Sequence, residues 1–274
     1  MKGPVKRALG RSLFATHLAG LFLKNRAVVV AFHRVKDGCG DEPLTVDVAT
    51  FERYCRFFKD HFQVTPLHEI VDRLENGEGL SGELAITFDD GYRDNYENAA
   101  PVLERLALPA TFFVVTNWIG TDVVPAWDRA QGVHHPWMTW HQLRSLHHRG
   151  FDVGAHTRTH VDLGTVDEFE AESEVLGARR DLEWQLDAPV QLFAYPYGRR
   201  ENLCDTNRAV VKASGFRCCC SCFGGVIAEG SDPFQISRIP VSPRCPSPDE
   251  FAFELALGRS SLYEGANVRY HTQA

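Results

Sequence analysis

Apolar runs of strand length alternate with stretches of helical period from residue 27 almost to the end of the chain. The runs at 28–32, 62–65, 84–88, 110–115, 151–155, 190–195, 216–222 and 236–241 predict strands. Between them the spacing predicts helices at about 50–60, 67–76, 94–107, 139–149, 167–186 and 201–214. Asp94 stands before a helix whose Ala99, Val102, Leu103 and Leu106 share one face, Thr139 is a good N-cap, and Gly150 is a good stop. Alternating βα units in this number imply a parallel sheet. Closure into a barrel is the economical way to bury both of its faces.

Composition adds limits. With 274 residues, 44% of them hydrophobic, the chain can bury a full core without disulfides. A net charge of −7 argues against a nucleic-acid partner. The first 26 residues stand apart, carrying Lys2, Lys6, Arg7, Arg11, Lys24 and Arg26 and no acid. Their apolar stretch, 12–23, is interrupted by Thr16 and His17 and is too short to span a bilayer. A strand follows directly, which leaves little room for a cleavage site. Residues 1–26 therefore read as a basic amphipathic segment, either lying on an anionic membrane surface or forming a disordered or packed helix. Residues 27–274 read as the barrel. Of eight cysteines, Cys204, Cys218, Cys219, Cys220 and Cys222 crowd together without the paired spacing of a metal cluster. A buried strand of small thiols, reduced in a cytoplasmic protein, accounts for the run.

In barrels of this kind the chemistry sits where strands end. Asp89 and Asp90 end one predicted strand, His156 another, the run Tyr195-Pro196-Tyr197-Gly198 a third, and His33 the first. Two adjacent carboxylates allow a division of labour, Asp90 as a metal ligand and Asp89 as a free base. His156 and His160 have the spacing by which one helical turn aims two rings at one ion. With 12 histidines chance supplies roughly half such a pair, so position at a strand end carries the argument. His134, His135, His141, His147 and His148 have no such setting and read as surface or packing residues.

These motifs resemble the polysaccharide deacetylases of the NodB-homology type, carbohydrate esterase family 4. Thr87-Phe88-Asp89-Asp90 matches the family's TFDD, His156–His160 its H-[ST]-x-x-H, and Ala194-Tyr195-Pro196-Tyr197 its third segment, R-x-P-[YF]. The likeness spans about residues 27–242 and implies a distorted (β/α) barrel. It also implies an Asp-His-His site for a divalent metal, usually zinc, with Co2+, Ni2+, Mn2+ or Fe2+ accepted. The reaction implied is hydrolysis of N-acetyl groups on amino sugars. Carried over, Asp89 is the base, Asp90, His156 and His160 are the metal ligands, and the Tyr197 N–H is the oxyanion donor.

Two positions depart from the family pattern. Ala194 replaces the arginine that orients the catalytic aspartate, and Arg238 on a late strand could supply that charge. The late Leu-x-His segment that provides an acid is missing, but His33 ends the first strand, as in members that make exopolysaccharides. A closed barrel makes first and last strands neighbours, so His33 can stand in. Trp127, Trp137, Trp140 and Tyr197 are candidates for stacking on sugar rings, although aromatics near a barrel mouth more often serve packing.

The reading is thus a de-N-acetylase for a bacterial surface glycan or its lipid-linked precursor, cytoplasmic and peripheral at the inner face of the membrane. A same-fold amidohydrolase for a small cyclic amide or ureide, or an inactive glycan-binding protein, are the rivals. The intact Asp89 argues against the second.

Overall fold

The apolar runs form strands buried on both faces. In β1 (Arg26–Phe32) every residue after Arg26 is buried, and in β5 (Glu83–Phe88) every residue is. The computed structural model describes residues 3–15, 19–38, 42–241 and 247–256, so the expected segments 1–26 and 27–274 each fall partly outside the described residues. The remaining strands are β2 (Arg34–Val35), β3 (Thr45–Val46), β4 (Gln63–Val64), β6 (Thr111–Val114), β7 (Asp152–Ala155), β8 (Leu192–Ala194), β9 (Cys218–Cys220), β10 (Ile227–Ala228) and β11 (Ile239–Pro240). The helices are α1 (Gly3–Ala15), α2 (Ala19–Leu23), α3 (Val48–His61), α4 (Leu67–Asn76), α5 (Ala100–Leu106), α6 (Ala126–Gln131), α7 (Trp140–His148), α8 (Glu168–Leu186), α9 (Asp205–Ala213) and α10 (Pro248–Ala256).

Strands β1, β5, β6, β7, β8 and β9 pair in that order, all parallel, and antiparallel β10 flanks the start of β1. The segment 236–241 joins the two ends of this array. Ile236 bridges Cys220 on one side, while Ile239 and Pro240 pair with Val30 and Ala31 on the other. The architecture is a distorted (β/α) barrel, as expected. Alternate strand residues serve two cores. Val28, Val30, Phe32, Ile86 and Phe88 meet α3 through Phe51, Tyr54 and Phe58. Ala27, Val29, Ala85, Phe113, Ala194, Cys218 and Cys220 form the other core with Leu67, Ile70 and Val71 of α4. Cys218, Cys219 and Cys220 are therefore a buried strand, Cys218 and Cys220 serving as small apolar side chains, while Cys222 is half-buried after it and Cys204 is exposed.

Local chemistry moved several boundaries. The helix expected over 94–107 begins as a π-helical turn, Asn95–Ala99, before α5, where Pro101 lacks the N–H that a continuous ladder would use. The helix expected over 201–214 splits into a 3-10 turn and α9, whose N-terminus is capped reciprocally by Cys204 and Asn207. Thr139 caps α7 through a capping box with Gln142.

The N-terminal segment is a packed helix where it is described. At Gly10 a Cβ would lie 1.8 Å from the Asp249 carbonyl oxygen, so only glycine lets α1 pass this close to α10. Lys6, Arg7 and Arg11 pair with Glu254, Glu250 and Asp249, and Phe14 is buried against Phe57 and Phe62. Val5, Leu9, Leu21 and Phe22 remain exposed. No helix among the described residues is long and apolar enough to cross a membrane.

Candidate active site

The chain turns sharply where β5 ends, and the turn sends two neighbouring carboxylates in different directions. Asp89 N–H still donates to the Phe32 carbonyl at 2.9 Å, extending the β1–β5 ladder by one residue. Asp90 then adopts φ 74° and Gly91 φ 90°. A Cβ on Gly91 would crowd Ile119 Cδ1 at 2.9 Å and Val114 Cβ at 3.2 Å, but it is the φ of 90° that calls for glycine here.

Asp89 faces Arg238. Nη1 and Nη2 donate to Oδ1 and Oδ2, each at 2.7 Å, a bidentate pair with both residues buried. Arg238 is itself held, Nε donating to the Ser221 carbonyl at 2.6 Å and Nη1 to Thr87 Oγ1 at 3.1 Å. Burial pushes the Asp89 carboxyl up, but the Arg238 charge, then His156, and the Arg238 hydrogen bonds outweigh it and hold the group below the usual carboxylate range.

Asp90 faces two imidazoles. Its Oδ1 lies 3.4 Å from His156 Nε2 and 3.3 Å from His160 Nε2, and one ligand atom from each of the three residues can be chosen so that all lie within 4.8 Å. His156 Nδ1 is 2.8 Å from the Ala194 carbonyl, which can only accept, so Nδ1 carries the proton and Nε2 is free to coordinate. Asp90 Oδ1 makes no hydrogen bond of normal geometry although it is buried. Buried polar atoms are seldom left so. Burial depresses the His160 pKa, keeping its ring neutral as a ligand must be. One carboxylate, two imidazoles and an orphaned oxygen at their meeting point fit a divalent cation with positions left open. Among the described residues this is the one such His/Cys/Asp/Glu group.

The histidines are brought together by a loop and not by the helical turn expected from their spacing. Thr157 and His160 take φ 63° and 62°, His160 N–H donates to Thr157 Oγ1 at 3.0 Å, and the two rings stand 5.1 Å apart. Left-handed residues cluster here. Of seven non-glycine residues with positive φ among those described, Asp90, Thr157, His160 and Tyr197 surround the site, a concentration of strain typical of functional centres.

Tyr197 (φ 60°) follows β8 and sets its ring 4.8 Å from that of His160. The next residue, Gly198, accepts from Cys222 N–H at 2.7 Å, and a Cβ there would lie 2.5 Å from that nitrogen. His33 follows β1, its carbonyl held by Asn95 Nδ2 at 2.7 Å. Burial lowers its pKa, and the charges of Asp90 and Asp89 oppose that effect.

The three tryptophans part company. Trp127 is half-buried, its ring 4.9 Å from His160 and 6.5 Å from Tyr197. Trp137, by contrast, is only 1% exposed, stacked 4.4 Å from Tyr92 with Nε1 donating to the Val123 carbonyl. It offers no face to a sugar, and the stacking expectation is corrected there. Trp140 opens α7 and packs on the main core, outside the rings around His160. Trp118 takes that place instead, stacked 5.3 Å from His160. It lies just past β6, so the strand-end logic applied to the other residues would have found it.

The polysaccharide deacetylase family model matches residues 77–219, more than half of the chain. The poly-beta-1,6-N-acetyl-D-glucosamine N-deacetylase of Staphylococcus epidermidis is 24% identical over 243 residues, covering 80% of this chain and 80% of that protein. Among solved structures, IcaB from Ammonifex degensii superposes with a TM-score of 0.71 at 23% identity, over 85% of this chain and 97% of that one. The Streptococcus pyogenes deacetylase PplD gives 0.70 at 21% identity, over 82% and 96%.

Proposed function

The chain belongs to the polysaccharide deacetylase family, and on that premise we propose that it removes N-acetyl groups from an amino sugar in a bacterial surface polysaccharide, or from the lipid-linked precursor. The observation that carries this reading is the pairing of two differently used carboxylates. Asp89 is gripped by Arg238 and kept charged, while its neighbour Asp90 joins His156 and His160. Named relatives act, by their names, on poly-β-1,6-N-acetylglucosamine, which makes a polymer of that sugar the first substrate to try.

Asp90, His156 and His160 would hold the cation, zinc in the first instance. When bound, it polarises the amide carbonyl and makes water a better nucleophile. Asp89 accepts the proton of the attacking water, and Arg238 fixes the carboxylate so that its lone pairs face the site. The Tyr197 N–H donates to the oxygen that becomes negative in the tetrahedral intermediate. His33, one residue past the strand that meets β11, gives a proton to the departing amine. The half-buried Trp127 supplies an aromatic wall.

Residues 1–26 complete the reading as a peripheral contact with the inner face of the membrane. Exposed Val5, Leu9, Leu21 and Phe22 support it, and Lys24 and Arg26 add exposed positive charge. The deciding experiment is acetate release from N-acetylglucosamine oligosaccharides, abolished by chelation and restored by added zinc. Full activity in verified metal-free protein would refute the metal assignment.

A further inference from the structure

A second buried charge cluster lies behind the site and is unused by the mechanism above. Arg34, adjacent to His33, is fully buried, and its Nη1 donates to Asp128 Oδ1 at 2.7 Å across 94 residues of chain. Its Nε donates to Thr45 Oγ1 at 2.9 Å, Nη2 lies 3.4 Å from Glu42 Oε2, and the guanidinium sits 5.1 Å from the Tyr92 ring centroid. His135 Nε2 approaches the same Glu42 oxygen at 3.0 Å. Asp128 is fully buried too, yet its Oδ2 has no hydrogen-bond partner.

As a source of stability this arrangement is poor. Desolvating two charges costs about as much as their attraction returns, and an unpartnered carboxylate oxygen adds to the cost. What a buried pair does provide is position, because Asp128 can meet Arg34 from only one placement of α6. The residue before Asp128 is Trp127. A second arm reaches the same tryptophan, since Trp127 Nε1 donates to Tyr92 Oη at 3.1 Å and Tyr92 lies under the Arg34 guanidinium. Arg34 and Tyr92 each follow, by one and two residues, groups of the reaction centre, His33 and Asp90.

We infer that the Arg34–Asp128 pair is a positioning device for substrate specificity, holding the Trp127 ring at a fixed distance from His160 as the wall against which a sugar ring is seated. The role assigned to that wall rests on the deacetylase reading. The fixing of Trp127 does not.

Two measurements on the full chain test it. In the first, Asp128→Asn is compared with wild type on N-acetylglucosamine oligosaccharides. KM should rise roughly tenfold, the loss of one modest contact, with a much smaller fall in kcat and unchanged zinc content. The double variant Asp128→Asn/Trp127→Ala should be hardly worse than Trp127→Ala alone, because both remove the same wall. In the second, the protein is labelled with 5-fluorotryptophan, and the 19F resonance absent from Trp127→Phe is followed. Asp128→Asn should shift or broaden that resonance. If Asp128→Asn fails to fold, Arg34→Met/Asp128→Leu, which removes both charges, carries both tests. An unmoved Trp127 resonance, or an unchanged KM in an active enzyme, overturns the inference. A wild type that releases no acetate would instead overturn the deacetylase reading, with the 19F spectrum still deciding whether the pair positions Trp127.

Discussion

Replacing Arg238 by methionine tests how Asp89 is kept charged. The substitution keeps much of the side-chain volume and removes the two 2.7 Å hydrogen bonds to Asp89. Both residues are buried, so the carboxylate would be left as an uncompensated charge, which costs about 3–5 kcal/mol. Burial would then be opposed only by the His156 and His33 charges and would raise the Asp89 pKa, since Arg238 is the largest of the influences now lowering it. In the wild type the depressed pKa contributes stability above the unfolded carboxylate pKa, and this is lost as pH falls through the folded value. In Arg238→Met the destabilisation should therefore be greatest at neutral pH and shrink in acid, where Asp89 takes up a proton. Acetate release should fall by 10²–10⁴-fold, the usual contribution of a general base. Its acid limb should move to higher pH, and Arg238→Lys should lie between. The assays are urea unfolding at several pH values and pH–rate profiles at saturating zinc. A destabilisation independent of pH, with the acid limb unmoved, would refute the account.

Three further outcomes are expected. Asp89→Asn should retain zinc and lose most of the rate, whereas Asp90→Ala should lose the zinc; equal metal loss in both would show the division of roles to be wrong. His33→Ala should bind zinc normally, hydrolyse slowly and lose the alkaline limb of the pH–rate profile, and an unaltered limb would remove His33 from the proton path. Leu21→Glu/Phe22→Glu should weaken flotation with anionic vesicles while leaving acetate release from soluble oligosaccharides intact, and undiminished flotation would move the membrane contact elsewhere.

What could be read from the sequence was local. Residues 84–88 announced a strand because four of the five side chains are apolar and the fifth, Thr87, is β-branched, and its end marked Asp89 and Asp90 without further help. Arg238 could be singled out because a specific charge was missing at Ala194. The tie between Arg34 and Asp128 could not, since it joins residues 94 positions apart and neither lies in a periodic pattern. The loop geometry of His156–His160 was hidden for another reason. An i,i+4 spacing is shared by a helix and by a loop with two left-handed residues, and while histidine is one of the types that tolerate positive φ, the β-branched Thr157 gives no sign of it. The burial of Trp137 depends on Tyr92 stacking on it and Trp118 packing against it at a tilt, again partners distant in sequence.

The placement of Arg238 has a consequence for the order of biosynthesis. It sits on the segment 236–241, which spans the gap between β9 and β1. As the ribosome releases the chain, Asp89, Asp90 and both histidines emerge well before this seam. Until it docks, Asp89 lacks its cation and the first strand lacks its last neighbour. A chain ending before residue 236 would thus contain Asp90, His156 and His160 and still leave Asp89 without the buried guanidinium that pairs with it.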